Sequence, residues 1–327
     1  MPSKYIIISI IYAFMPHILC NTTSLSLADC PVGDAIKPCI CHKSHITCDE
    51  EQEYDLKAII GSLSDSYGQN QSKHFNRFEF TANTLTELSE NLFKDITAAV
   101  LWLMGAEQLK SINVNAFHGM DAVVKQFELR NCPVLNTDNI FTIVNKFVMV
   151  DTVALKEINL VAIPSGAFAR LTRLHTITIY DSRLKTIGDK PFAALNSLQK
   201  LELSQTSVAS LPKGVLVFSA DSNLTLRLTL QKNEWLNNTG LGADSLSQLA
   251  RPTIIYINHT FKNSRQWKYL AEKAFKPFFA ANDGNKVLFL GHSAILCGDV
   301  RNKWLNPNFI KRLLWIDFDN KVKQIEC

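Results

Sequence analysis

A strong excess of charge of one sign is absent from this sequence, and so are long hydrophobic runs beyond its N-terminus. The 327 residues contain 34 Lys and Arg against 30 Asp and Glu, which gives a formal charge of +4. Such a small charge gives no reason to expect nucleic acid or a strongly acidic surface as partner. After the N-terminus no apolar segment reaches the about 20 residues that a membrane-spanning helix needs. We therefore expect no membrane span after removal of a signal peptide.

The motifs of common catalytic and cofactor sites are also absent. The patterns GxSxG, HExxH, GxGxxG and the P-loop do not occur. The pair Asp181-Ser182 is interpreted as solvated turn residues that bond to the nearby backbone. Five histidines follow no shared spacing: His74, His118, His175, His259 and His292. The sequence thus predicts a non-enzymatic protein without cofactor or metal.

Residues 1–20, MPSKYIIISIIYAFMPHILC, have the features of a signal peptide. Lys4 precedes an apolar run from Tyr5 to Met15, and polar residues follow. The alternative is a membrane anchor, but the run is too short to cross about 30 Å of hydrocarbon. The polar C-terminal segment DNKVKQIEC is not a lipid-anchor signal either. We expect a secreted, extracellular protein.

Triplets for N-linked glycosylation also favour a secreted protein. Five Asn-x-Ser/Thr triplets begin at Asn21, Asn70, Asn223, Asn237 and Asn258. One triplet is weak support, whereas five behind a signal peptide favour secretion.

Four of the eight cysteines lie within 19 residues: Cys30, Cys39, Cys41 and Cys48. Oxidising conditions outside the cell favour two disulfides here. A bond between Cys39 and Cys41 would be strained, which leaves Cys30–Cys41 with Cys39–Cys48 or an alternative pairing. His42 and His45 would complete a zinc site, but the expected compartment favours disulfides.

The other four cysteines lie outside this cluster. Cys297 and Cys327 are predicted to form a third disulfide near the C-terminus, and Cys20 to leave with the signal peptide. Cys132 follows an apolar strand pattern, and we interpret it as a buried small hydrophobic residue rather than a reactive thiol.

An internal repeat decides the predicted fold. Several segments share an alternating apolar trio, a polar gap, a second apolar pair and a Phe, as in ITIYDSRLKTIGDKPF. Phe93, Phe117 and Phe141 are 24 residues apart, as are Phe168 and Phe192. One such unit cannot bury its own apolar face, but stacked units with parallel strands can.

The alternating trios predict nine strands, each with two side chains directed inward. The inward pairs are Phe78 and Phe80, Leu101 and Leu103, Phe127 and Leu129, Val148 and Val150, Ile177 and Ile179, Leu201 and Leu203, Leu226 and Leu228, Ile255 and Ile257, and Leu288 and Leu290. A β-sandwich would place strands every 8–12 residues with hairpin turns, and neither feature occurs. The spacing therefore favours a solenoid, with the register beyond about residue 228 the least regular.

These residues resemble the leucine-rich-repeat family in its extracellular form with cysteine caps. LHTITIYDSRLKTIGDKPFAAL and LQKLELSQTSVASLP carry the repeat pattern, and CPVGDAIKPCICHKSHITC is similar to an N-terminal cap. The layout is most similar to arthropod secreted proteins named after the non-catalytic subunit of Oplophorus-luciferin 2-monooxygenase. In that family the repeat subunit is accessory and performs no light-emitting chemistry.

The resemblance implies an α/β repeat solenoid, or leucine-rich-repeat horseshoe. Short parallel strands would line its concave face, with irregular turns and short helices on the convex face. It also implies the pairing Cys30–Cys41 and Cys39–Cys48. The Asn that follows the strand in the family pattern is mostly absent here. The implied layout is a signal peptide (1–20), the N-terminal cysteine cap with the segment leading into the repeats (21–74), about nine irregular repeats (75–295) and a C-terminal cap (296–327).

The concave face is the predicted working surface, because its outward side chains form columns. The predicted central column is Glu79, Trp102, Glu128, Met149, Thr178, Glu202, Arg227, Tyr256 and Phe289, and the adjacent column includes Thr81, Met104, Arg130, Asp151, Tyr180, Ser204 and Thr229. Trp, Met, Tyr and Arg are enriched in binding interfaces. The predicted partner-binding residues are Trp102, Met104, Glu128, Arg130, Met149, Tyr180, Glu202 and Arg227.

Three functions are compatible with such a surface. The first is a secreted non-enzymatic protein that binds an extracellular protein or glycan. The second is the accessory subunit of a secreted enzyme, with a catalytic subunit as partner, and the third is a self-assembling matrix component. A glycan at Asn258 would obstruct the C-terminal third of the face, which moves the expected contact region toward Trp102 and Tyr180.

Overall fold

The computed structural model describes most of the chain. It covers residues 25–48, 54–81, 84–218, 222–258 (without 234, 237, 239 and 243), 269–290, 299–316 and 321–325. The predicted signal peptide, the Cys297–Cys327 disulfide, and the Asn21 and Asn237 triplets lie outside the described residues. Asn258 is described only for its backbone, which ends a strand.

The described residues form 17 strands and four α-helices. The strands, in chain order, are β1 (Ile40–His42), β2 (His45–Cys48), β3 (His74–Thr81), β4 (Glu87–Leu88), β5 (Thr97–Met104), β6 (Ser111–Ile112), β7 (Gln126–Cys132), β8 (Thr152–Ile158), β9 (Ala162–Ile163), β10 (Thr176–Tyr180), β11 (Thr186–Ile187), β12 (Lys200–Ser204), β13 (Leu226–Thr229), β14 (Thr253–Asn258), β15 (Lys286–Leu290), β16 (Leu313–Ile316) and β17 (Val322–Gln324). The helices are α1 (Leu56–Asp65), α2 (Ile140–Val144), α3 (Glu272–Ala281) and α4 (Pro307–Ile310), and a 3₁₀ turn covers Val300–Asn302. No helix among the described residues is long and apolar enough to cross a membrane.

One large sheet organises the fold. Its strand order is β1-β2-β3-β5-β7-β8-β10-β12-β13-β14-β15-β16-β17. Neighbours run parallel from β2 to β16, and antiparallel strands β1 and β17 form the two edges. Parallel neighbours require a long crossover connection, and each repeat supplies one. Short strands pair separately, β4 with β6 and β9 with β11. The predicted solenoid of parallel strands is confirmed.

Phenylalanines of neighbouring repeats contact one another in the interior, although the ring that follows Phe117 is Phe147 and not Phe141. Successive rings lie with centroids 5.3 to 5.8 Å apart in the pairs Phe93–Phe117, Phe141–Phe168, Phe168–Phe192 and Phe192–Phe218. All of these rings are buried. Aromatic pairs of this kind contribute about 0.5–1.5 kcal/mol each beyond the burial of their area, so the row links neighbouring repeats into one continuous core.

Two of the nine predicted strand registers are wrong. The fourth strand is not centred on Val148 and Val150, because Val148 is 48% exposed and the strand begins at Thr152, with Val153 and Leu155 inward. In the ninth strand the register is off by one: Phe289 is fully buried and pairs with the inward Ile257. Both strands carry adjacent apolar residues, so alternation alone does not define their inward side.

The backbone turns the same way at the C-terminal ends of successive strands. The residue at this position has a φ between 49° and 64° in six repeats: Gly105, Asn131, Glu157, Asp181, Gln205 and Lys232. A left-handed backbone conformation is uncommon for residues other than glycine, and among those residues Asn and Asp tolerate it best. The repeated turn therefore places one side chain per repeat along the same rim of the sheet. We call this row of residues the rim row.

The position after the rim row is where the family pattern has Asn or Cys. Cys132 occupies it and is fully buried, with its thiol 3.5 Å from the Arg130 carbonyl, which confirms the interpretation as a buried small residue. The Asn233 amide oxygen accepts hydrogen bonds from the Thr206 N–H and from the Thr206 hydroxyl. Its NH₂ group donates a hydrogen bond to the Leu203 carbonyl. The buried Ser182 hydroxyl at the same position has no partner among the described residues.

Two disulfides close the N-terminal end. Cys30 bonds to Cys41 and Cys39 to Cys48, as the family resemblance implies. The zinc alternative is wrong for these sulfurs, and the described residues contain no cluster of His, Cys, Asp and Glu able to hold a metal ion. Strand β2 carries Cys48 and pairs with β3, so the cap is continuous with the sheet of the repeats.

Candidate functional site

The outer face of the large sheet presents its side chains in three columns set by the strand register. The first column is Arg77, Val100, Gln126, Thr152, Thr176, Lys200, Arg227, Ile254 and Lys286. The central column is Glu79, Trp102, Glu128, Ala154, Thr178, Glu202, Thr229, Tyr256 and Leu288. The third is Thr81, Met104, Arg130, Lys156, Tyr180 and Ser204. We call these columns together the strand face.

The structure corrects five predicted positions on this face, and one of them is Thr229, which pairs with Glu202 and therefore belongs to the central column and not to the adjacent one. Met149 lies in the turn before β8, so Ala154 takes its place in the central column. Asp151 likewise precedes the strand, and Lys156 occupies its predicted column. Arg227 belongs to the first column because it pairs with Lys200. Phe289 is inside the core.

Of the predicted partner-binding residues, seven lie on the strand face. Trp102, Glu128 and Glu202 occupy the central column, Met104, Arg130 and Tyr180 the third, and Arg227 the first. Lys156, Lys200 and Tyr256 also line it but were not among the predicted partner-binding residues. Alternation predicts Lys200, which lies two residues from Glu202, and Tyr256 already stands in the predicted central column. Lys156 was missed because it lies in the strand whose register was predicted wrongly.

At the N-terminal end of the face, Arg77 organises Trp102. The guanidinium carbon lies 3.9 Å from the centroid of the Trp102 ring, which is a cation–π contact. The same guanidinium lies 3.6 Å from the Glu79 carboxylate. The Trp102 ring is thus held in place by a side chain of the neighbouring strand, and part of the ring remains exposed to solvent.

In the next strands, two cations hold one carboxylate. Glu128 accepts from Arg130 at 2.7 Å and from Lys156 at 3.0 Å. The Glu128 side chain is only 13% exposed, while the Arg130 side chain is 43% exposed. Because one acid is shared by two bases, this cluster retains a net positive charge.

Toward the C-terminal end of the strand face, the rings of Tyr180 and Tyr256 also contact cationic side chains. Lys232 lies 5.8 Å from the Tyr180 ring centroid, with its ammonium 3.5 Å from the hydroxyl. Arg227 lies 5.5 Å from the Tyr256 ring centroid and its Nε donates to the Tyr256 hydroxyl at 3.2 Å. These contacts fix the orientation of both rings before any partner arrives, which reduces the ordering cost of binding.

Between these groups the central column of the strand face carries two small side chains. Ala154 and Thr178 stand side by side in the central column and are 4% and 8% exposed. Their small side chains leave a shallow depression between Glu128 and Glu202. A partner side chain can approach the backbone closely at this point.

The face carries more cations than carboxylates. Its described side chains include Arg77, Arg130, Lys156, Lys200, Arg227 and Lys286 against Glu79, Glu128 and Glu202. Each of the three carboxylates is within 3.6 Å of a cation of the same face. The excess positive charge is therefore carried by groups that no acid on the face neutralises.

Comparison with known proteins agrees with this architecture. Residues 142–267 match the model of the BspA type leucine-rich-repeat region in six copies. No curated protein sequence matches the chain, so the resemblance to the arthropod family stays a prediction. The fold is a leucine-rich-repeat solenoid with an N-terminal disulfide cap, the class of protein-interaction domain that the sequence predicts.

Solved structures show similarity at low sequence identity. The structure titled TLR13–ssRNA13 complex shares 14% identity with the chain at a TM-score of 0.48, over 72% of this chain and 33% of that one. Human 5T4, also called Wnt-activated inhibitory factor 1 or trophoblast glycoprotein, shares 16% identity at a TM-score of 0.43, over 70% of this chain and 80% of that one. The chain thus spans about a third of the length of the first of these structures.

Proposed function

We propose that this chain is a secreted, non-enzymatic binding protein that recognises an extracellular protein through the strand face. The observation that supports the proposal is the set of aromatic rings held by cations at Trp102, Tyr180 and Tyr256. Oriented aromatic and Arg side chains are the groups that dominate binding energy in protein interfaces. The predicted signal peptide and the glycosylation triplets in the sequence support secretion.

The charge of the strand face favours a partner with an acidic contact surface. Its carboxylates are already paired within the protein, whereas Arg227 and Lys286 are exposed. An acidic partner would gain from complementary charge, mainly in its association rate. The net charge of the whole chain does not reveal this local excess, since acids elsewhere offset it.

The testing experiment is capture from the extracellular fluid of the source tissue. The immobilised chain should retain a partner that mass spectrometry identifies, and calorimetry should then give its affinity. Trp102→Ala and Tyr180→Ala should each weaken binding by about tenfold or more, which is typical of a central aromatic contact. Unchanged circular dichroism would show that both variants remain folded.

A matched control lies away from the strand face. Trp235→Ala removes an equally large ring that is exposed on the rim, outside the three columns. This variant should retain full affinity for the captured protein. Equal losses for Trp102→Ala and Trp235→Ala, or no loss for Trp102→Ala, would contradict the proposal.

A further inference from the structure

A second concavity lies at the rim of the sheet, beyond the strand ends. It has a volume of about 660 Å³ and runs past five members of the rim row, Asn131, Glu157, Asp181, Gln205 and Lys232, to Trp235. This volume is within the range of small-ligand sites, about 300–1,000 Å³. The concavity shares none of its lining residues with the three columns of the strand face.

The backbone explains why polar side chains gather there. Each rim-row residue lies at or just past the C-terminal end of a strand in left-handed conformation, with φ between 49° and 54° for these five. Since the strands are in register, the same turn recurs in successive repeats and aligns the side chains. The groove is therefore formed by the repeat itself and does not require a special loop.

Trp235 adds an apolar platform at one end. Its side chain is 64% exposed, the most exposed of the large aromatic residues among the described residues. Large rings are usually buried because they remove much apolar surface from water. An indole left open beside a polar groove offers a flat face for a ligand that is partly apolar and partly hydrogen-bonding.

The remaining lining defines the chemistry of that ligand. Two acids, Glu157 and Asp181, are balanced by two bases, Arg183 and Lys232. The lining also contains amides and hydroxyls, which both donate and accept. Balanced charge favours a neutral ligand, and alternating donors and acceptors suit a ligand that carries many hydroxyl groups.

A peptide fits these features less well. Extended peptides commonly add to the edge of a sheet, where backbone groups are free, but this groove crosses the ends of strands that are paired on both sides. It also lacks a row of apolar pockets for peptide side chains, because only Pro133, Ile158 and Trp235 in its lining are apolar.

We propose that the rim groove binds a neutral oligosaccharide, with one sugar ring stacked on Trp235 and the hydroxyls of the following rings bonded by the rim row. A pyranose ring has an apolar C–H face and a periphery of hydroxyls, which matches the indole and the polar row. The groove meets the strand face only where Lys232 contacts Tyr180, and the proposal does not depend on the function proposed for that face.

The experiment is a calorimetric titration of the full chain with neutral hexasaccharides. The probes are hexamers of β-1,4-glucose, β-1,3-glucose, α-1,4-glucose and β-1,4-N-acetylglucosamine, with a heparin hexasaccharide and an acidic decapeptide for comparison. Enzymatic removal of attached glycans comes first, because the Asn237 triplet begins two residues after Trp235. We expect at least one neutral hexamer to bind in the micromolar to millimolar range.

Variants then locate the site. Trp235→Ala should lower the affinity about tenfold or more through loss of the stacking contact, and Trp235→Phe should retain most of it. Gln205→Ala should lower it a few-fold, while Trp102→Ala on the strand face should leave it unchanged. Four results would overturn the proposal: no binding of any neutral hexamer at millimolar concentration, equal binding by Trp235→Ala, or Trp235-dependent binding of the heparin hexasaccharide or of the acidic decapeptide that is stronger than that of every neutral hexamer.

Discussion

Arg77 and Trp102 pack face to face across two adjacent strands, with 3.9 Å between the guanidinium carbon and the ring centroid. Their backbones belong to β3 and β5, and their columns are neighbours on the strand face. The pair links the beginning of the repeats to the predicted contact region. It also makes Trp102 a preoriented ring, because its position is fixed in the free protein.

The first prediction concerns this pair. A double-mutant cycle of Arg77→Ala and Trp102→Ala should give a coupling of about 1 kcal/mol in the free energy of unfolding, as expected for a partly exposed cation–π contact. Urea denaturation measures each variant. Glu79→Gln is the control, since it removes only the weak ion pair of Arg77 at 3.6 Å. Additive losses would show that the contact contributes nothing.

The second prediction tests the corrected register of the fourth repeat. Ala154→Arg places a large side chain in the shallow depression between Glu128 and Glu202, so capture of the partner protein should be lost. Met149→Arg changes the turn before β8 and should retain capture. The affinity of each variant for the captured partner protein distinguishes the two registers. Loss with Met149→Arg and retention with Ala154→Arg would restore the register that the sequence predicts.

The third prediction compares two equivalent positions after the rim row. Asn233→Ala should cost about 3 kcal/mol of unfolding free energy, because buried groups of Thr206 and Leu203 lose their partners. Ser182→Ala should cost less than about 0.5 kcal/mol, since the buried hydroxyl has no partner among the described residues. Thermal or urea unfolding measures both. A similar cost for the two variants would refute the assignment of these hydrogen bonds.

The fourth prediction follows from the buried thiol of Cys132. Burial raises its pKa to about 11, against an ordinary value of 9.0. Because the folded state holds the proton more tightly than the unfolded state, stability should fall as the pH rises from 9 toward 11. The unfolding free energy of the native protein, relative to Cys132→Ala, should decrease by about 2 kcal/mol over this range. At pH 8 the native thiol should resist alkylation, and rapid alkylation without unfolding would contradict its burial.

The fifth prediction separates the two disulfides of the cap. Replacing Cys39 and Cys48 by Ala should cost more than replacing Cys30 and Cys41, because Cys39 and Cys48 are both buried and Cys48 belongs to strand β2. Loss of a native disulfide typically costs about 2–5 kcal/mol. Urea unfolding of the two double variants gives the comparison, and a larger loss for Cys30 and Cys41 would reverse the order.

Much of the fold could be predicted from the sequence because the repeat is a local pattern. Two inward residues per strand and one Phe per turn specify a unit that must stack to bury its apolar face. The repeated Phe93 and Phe117 therefore predict one ring per repeat in the core, and the structure adds that these two rings stack at 5.6 Å. The family resemblance also implied the pairing of Cys39 with Cys48, which spacing alone left open.

Only the tertiary structure decided which side chains lie together on the strand face and which residues of neighbouring strands they contact. In the fourth repeat Met149 and Ala154 both follow an apolar pattern, and pairing with β7 selects Ala154. The contact of Arg77 with Trp102 and the rim groove ending at Trp235 join residues from different repeats. Alternation within one strand carries no information about its neighbours, because register and side-chain contacts arise from packing between strands. The sequence by itself thus determined the solenoid, while packing determined its two candidate surfaces.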